Sequence, residues 1–96
     1  MTDLTNFEEL LIRKYGHKGS PDRDMYEKEA LAFRIGVMLR AERKKARLTQ
    51  DELAQKTGTK KSYISRIERG KSDIQIATFQ RIIEAGLGKN LIIDIV

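Results

Sequence analysis

Four groups of residues have the types and spacing that could do chemistry. Gly70-Lys71-Ser72 is the closing triplet of a phosphate-binding loop, but that motif needs a glycine five residues before Gly70, and Ser65 stands there. His17, the only histidine, lies in the turn-rich run Gly16-His17-Lys18-Gly19-Ser20-Pro21 with no second ligand or catalytic partner near it in sequence, so it reads as a surface residue. The acidic pairs Glu8-Glu9 and Asp51-Glu52 are sequence neighbours, and neighbours on a helix diverge, so neither builds a two-carboxylate active site. The fourth group is cationic: residues 40–71 carry eleven basic and four acidic side chains. Such a block is either a solvated helix face or one that neutralises phosphates, which supplies most of the sequence-independent affinity of a nucleic-acid-binding face.

The rest of the chain sharpens that contrast. Of the 96 residues, 1–39 hold six basic and seven acidic side chains and 72–96 hold two and three, so the whole net charge of +5 comes from the middle third. The length suits one compact domain, and a 40% apolar fraction supports a modest core. With no cysteine, a disulfide framework, a thiolate zinc site and a cysteine nucleophile are excluded together. No apolar run approaches the ~20 residues of a membrane span. Met1-Thr2-Asp3 lacks the basic-then-apolar layout of a signal peptide. The expectation is a soluble cytoplasmic protein with no membrane partner, no metal and no cofactor. No arrangement of nucleophile, base and oxyanion donors emerges either, so an enzyme is not expected.

Helices must position the cations. Leu4, Phe7, Leu10, Leu11 and Tyr15 share one side of a short first helix that stops at Gly16. Ser20 followed by Pro21 has the capping chemistry of a second helix, and from Pro21 to about Ala46 the pattern is one long helix or two joined near residue 30. On it Tyr26, Ala30, Phe33 and Val37 form one stripe, and Leu31, Ile35 and Leu39 an adjacent one. Thr49, with Glu52 three residues on, forms a capping box for a helix that turns Leu53, Ala54 and Thr57 inward and ends at Gly58. Thr59 can cap the next helix, which carries Tyr63, Ile64 and Ile67 inward and ends at Gly70. Ile76, Phe79, Ile82 and Ile83 then repeat at helical spacing until Gly86 and Gly88. The closing run Leu91-Ile92-Ile93-Asp94-Ile95-Val96 is β-branched and too short for a stable helix, so it reads as a strand. A lone strand seeks another edge, and the economical partner is the same segment of a second copy, through Leu91, Ile92, Ile93 and Ile95, with a frayed tail the alternative.

Two short helices about a turn at Gly58 make the arrangement that presents the second of them to the DNA major groove. Leu48-Thr49-Gln50-Asp51-Glu52-Leu53-Ala54 followed by Ser62-Tyr63-Ile64-Ser65-Arg66-Ile67-Glu68-Arg69-Gly70-Lys71 closely resembles the Cro/C1-type (Xre-family) helix-turn-helix domain, over roughly residues 34–86. The resemblance implies an all-α, lambda-repressor-like fold. Residues 1–30 would be an N-terminal helical extension, 31–88 the DNA-binding domain and 89–96 the dimerisation strand. Gln50 would hold a phosphate. Lys60, Lys61, Ser62 and Arg66 would reach base edges, with guanine the favoured reading for an Arg or Lys and phosphate contact the alternative for each cation. Arg69 and Lys71 would grip the backbone. Arg43 and Glu68 match a pair that ties the family's first helix to its recognition helix by an internal salt bridge. Gly86 stands where the family often has leucine, which leaves the end of the last helix open.

The first 30 residues, with Gly19-Ser20-Pro21-Asp22-Arg23-Asp24 before the long helix, and the closing segment Gly86-Leu87-Gly88-Lys89-Asn90-Leu91-Ile92-Ile93 also resemble the layout of HigA-type antitoxins of toxin–antitoxin pairs. That resemblance implies a homodimer that represses its own operon at a palindromic site and neutralises a small ribonuclease toxin by binding it. A stand-alone or phage-type repressor, and a protein-interaction module without DNA binding, are the alternatives.

Overall fold

A computed structural model describes residues 6–71 and 73–96, excluding the side chains of Asn6 and Phe7. The inward placement expected of Leu4 and Phe7 lies outside the described residues. The elements are α1 (Asn6–Tyr15), α2 (Pro21–Lys45), α3 (Gln50–Thr57), α4 (Lys61–Glu68) and α5 (Ile76–Arg81), which continues into a π-helical turn at Ile82–Gly86. The chain divides into two compact units, Met1–Leu31 and Ala32–Val96.

The first unit is organised by a buried cation. Arg23 is only 1% exposed. Its guanidinium donates to Glu27 Oε1 and Glu8 Oε2, each at 3.1 Å, and to the Gly16 carbonyl at 3.3 Å. Spreading the charge over two carboxylates and a carbonyl offsets the cost of removing it from water. Around it the Tyr15 and Tyr26 rings stack with centroids 4.2 Å apart, and Leu11 is buried. Ser20 caps α2, its hydroxyl accepting from the Arg23 amide at 3.2 Å.

In the second unit, α3 packs against α4 and the π-helical turn. Leu39, Leu53, Ala54, Ile64, Ile67, Phe79, Ile82 and Ile83 form the core. Two glycines set how closely these helices meet. A Cβ on Gly36 of α2 would overlap the Ile67 carbonyl oxygen of α4. A Cβ on Gly86 would lie 2.5 Å from Leu53 Cδ1 and 2.6 Å from Thr57 Cγ2. Gly86 is thus buried in the wide π-helical turn, close against Leu53 and Thr57 of α3.

Several expectations are corrected. Among the described residues there is no strand: residues 89–96 carry no regular secondary structure, so the strand and its pairing across a dimer are not supported. β-branched side chains suit a pleated surface, but a strand exists only through ladder bonds to another edge, which the described residues do not supply. Leu91 packs on the core, whereas Ile92, Ile93 and Ile95 are exposed. Of the stripe Leu31, Ile35 and Leu39 on α2, Leu39 is buried and Ile35 packs partly on the core, whereas Leu31 is exposed. Phe33 and Val37 are 63% and 51% exposed, because the buried edge of the helix runs through Gly36 and Leu39, to one side of them. Ile76 opens α5 facing solvent. Thr59 does not cap α4: Lys60 occupies that position without a side-chain cap, and the Thr59 hydroxyl instead lies 2.9 Å from that of Thr57.

Candidate nucleic-acid interface

The turn between α3 and α4 is fixed at both ends of α3. Thr49 Oγ1 accepts from the Glu52 amide at 3.0 Å, and Glu52 Oε1 accepts from the Thr49 amide at 2.9 Å, which closes the capping box. The Thr49 backbone and side-chain bonds hold the Glu52 carboxyl below the ordinary carboxylate range. At the other end Gly58 adopts a left-handed conformation (φ 68°) that stops the helix and redirects the chain into α4. The α2–α3 connection has a left-handed residue of its own, Arg47 at φ 58°.

A charged network behind the turn locks α2, α3 and α4 together. Arg43 donates through Nε to Glu68 Oε2 at 2.7 Å, through Nη2 to Glu68 Oε1 at 2.9 Å and through Nη1 to the Leu48 carbonyl at 2.9 Å. The two side chains are 11% and 4% exposed. Gln50, the first residue of α3, adds a third donor to Glu68 at 3.1 Å. Desolvation pushes the Glu68 carboxyl up, but the hydrogen bonds from Arg43 and Gln50, with the charges of Arg43 and Arg40, outweigh it and leave the group below its ordinary value. The same hydrogen bond to Glu68 raises Arg43 against its own desolvation. Glu68, the only acid on α4, is therefore neutralised internally, and the charge that α4 turns outward is positive.

Lys60, Lys61, Ser62 and Arg66 are exposed, as are Arg69 and Lys71 beyond them. An open cleft of about 590 Å³ brings Lys60, Ser62, Arg66 and Lys71 together. Lys61 and Arg69 do not line it, and Arg69 folds back to donate to the Ser65 carbonyl at 3.3 Å. Gln50 is half-buried and engaged with Glu68. The cleft also recruits Thr59, Tyr63, Asp73, Gln75 and Thr78, none of which the sequence assigns to DNA. Tyr63 packs partly on the core, as its helical spacing implies, while also lining the cleft. Asp73, Gln75 and Thr78 come from the loop after α4 and the start of α5, where no helical period links them to Arg66. Hydroxyls, an amide and three cations along one cleft can donate to phosphate oxygens and to base acceptors.

No helix among the described residues is long and apolar enough to cross a membrane. A family model described as helix-turn-helix matches residues 39–86, from Leu39 of α2 to the last residue of the π-helical turn. No curated protein matches the chain.

Proposed function

Because the chain belongs to the helix-turn-helix family of DNA-binding transcription regulators, we propose that it is a cytoplasmic, sequence-specific repressor that binds a palindromic operator as a homodimer. The observation that carries this reading is the cleft on α4, where Lys60, Ser62, Arg66 and Lys71 meet while Glu68 is neutralised behind them. Lys60, Lys61, Ser62 and Arg66 are assigned to base edges, and Gln50, Arg69 and Lys71 to phosphates. In this reading the protein binds and does not catalyse, and it uses no cofactor. The exposed side chains of Ile92, Ile93, Ile95 and Val96 support self-association through the tail.

The finer reading is an antitoxin that represses its own operon and binds a small ribonuclease toxin. It is supported by the first unit, which precedes the matched span and exposes Leu10 and Met25, apolar side chains suited to a protein partner. Selection from a random duplex pool with the full chain tests the repressor: enrichment of one palindromic sequence is expected, and a pool that stays random after repeated rounds rules it out. Stoichiometric co-purification of a small protein that is lost on deleting residues 1–30 is expected of the antitoxin, and its absence from native cells leaves a stand-alone repressor.

A further inference from the structure

Two exposed apolar surfaces of the second unit take no part in the cleft: the outer side of α2 around Phe33 and Val37, and the tail from Ile92 to Val96. At about 100° per residue, Arg40, Phe33, Lys44, Val37, Ala41 and Arg34 fall within one sector of α2 about 120° wide. All six are exposed. The sector is therefore an apolar stripe, Phe33-Val37-Ala41, set among three cations. Glu42, the only acid in residues 32–45, lies outside it.

Those cations select what can lie on the stripe. A second α2 would bring three cations against three, which like-charge repulsion disfavours. The tail has the opposite character, since Asp94 is the only charged residue in 90–96 and is exposed. The spacings also match. Phe33 and Val37, four apart on a helix, stand about 6 Å apart along its axis. Ile93 and Ile95, two apart on an extended chain, stand about 7 Å apart. The chain's own tail starts from the other flank of α2, where Lys89 Nζ lies 3.6 Å from Glu42 Oε2. Glu42 is nine residues from Phe33 and so half a turn round the helix from it. Within one chain both surfaces accordingly stay exposed, whereas the tail of a second copy can approach from outside.

Resting on the homodimer reading above, we infer that Phe33 and Val37 of α2 are the seat for Ile93 and Ile95 of a second copy, with Asp94 drawn to Arg34, Arg40 and Lys44 around them. The exchange is reciprocal. A two-fold axis repeats the contact, so every apolar pair and every charge in it counts twice.

The chain has no cysteine, so introduced thiols report this contact alone. Full-length Val37→Cys and Ile93→Cys, both changed at exposed positions, are mixed, allowed to exchange subunits and oxidised mildly. A disulfide needs Cα atoms about 4.4–6.8 Å apart. The expected product joins one variant to the other, about tenfold above either variant joined to itself. In sedimentation, full-length Val37→Asp should raise the dimer dissociation constant about tenfold or more, because it places a charge against apolar side chains, while its circular dichroism stays that of the wild type. Asp94→Asn should weaken the dimer about twofold to fivefold at low salt and by less at high salt. Self-cross-linking of Ile93→Cys in excess would mean that the tails pair with each other, and self-cross-linking of Val37→Cys in excess that the helices do. Either result, or a dimer that yields no mixed product, overturns the inference and leaves the homodimer standing. A wild-type protein that sediments as a monomer at every concentration would instead remove the reading on which the inference rests.

Discussion

Arg43 and Glu68 show how a residue pair does two jobs. Their bidentate contact is nearly dry, so Arg43→Ala strands a carboxylate that retains only Gln50 as donor. A loss of about 3 kcal/mol is expected, the low end for breaking a buried pair, because that third donor survives. Denaturant unfolding of the variant checks it. The pH dependence follows from the depressed value of Glu68. Its stabilising contribution is complete above the unfolded glutamate value of about 4.3 and is lost as pH falls through the lower folded value. Glu68→Gln should accordingly flatten the acid limb of a stability profile, and an unchanged limb would place the acid sensitivity elsewhere. At this scale the sequence was readable where a motif carried the pair across 25 positions. It was silent on Arg23, whose burial depends on Glu8 and Gly16, residues with which it shares no helical period.

Helix ends are legible where their signals are local, as at Ser20, the Thr49–Glu52 box and Gly58, but not at α4, where Lys60 and not Thr59 holds the cap position. Helix faces were read less well, since α2 carries apolar residues on more than one side and only packing decides which side is buried. Gly36 carries that decision, and it yields a prediction opposite in sign to propensity. Alanine is favoured over glycine within a helix by about 1 kcal/mol. Yet Gly36→Ala drives a methyl group into a main-chain carbonyl of α4, which cannot rotate away. Destabilisation by about 1–3 kcal/mol or more is expected. Gly86→Ala should cost less, because it meets the side chains of Leu53 and Thr57, which can shift partway. Thermal melts of both variants settle the order. An increase in melting temperature for Gly36→Ala would mean that α2 and α4 are not held at this separation.

For the whole molecule, charge was the most readable property, because the excess of residues 40–71 survives folding with only Glu68 withdrawn from the outward surface of α4. Assembly was not readable, since a β-branched tail has the same composition whether it pairs, packs or stays exposed. The tail is not uniform, however. Lys89 approaches Glu42 of α2 at 3.6 Å, and Leu91 is seated on the core, so the chain is anchored up to that point. Beyond it, Ile92, Ile93, Ile95 and Val96 face solvent. A truncation that ends at Leu91 therefore removes exposed apolar surface and leaves the folded unit intact. If self-association runs through the tail, that variant should sediment as a monomer, keep its melting temperature to within a few degrees and bind a single half-site as the full chain does. What it should lose is the advantage of two linked half-sites, since joining two binding events raises apparent affinity about 10²–10⁴-fold when the geometry allows both. A truncated protein that still sediments as a dimer, with its preference for the palindrome intact, would move the interface off the tail and onto the helical surface.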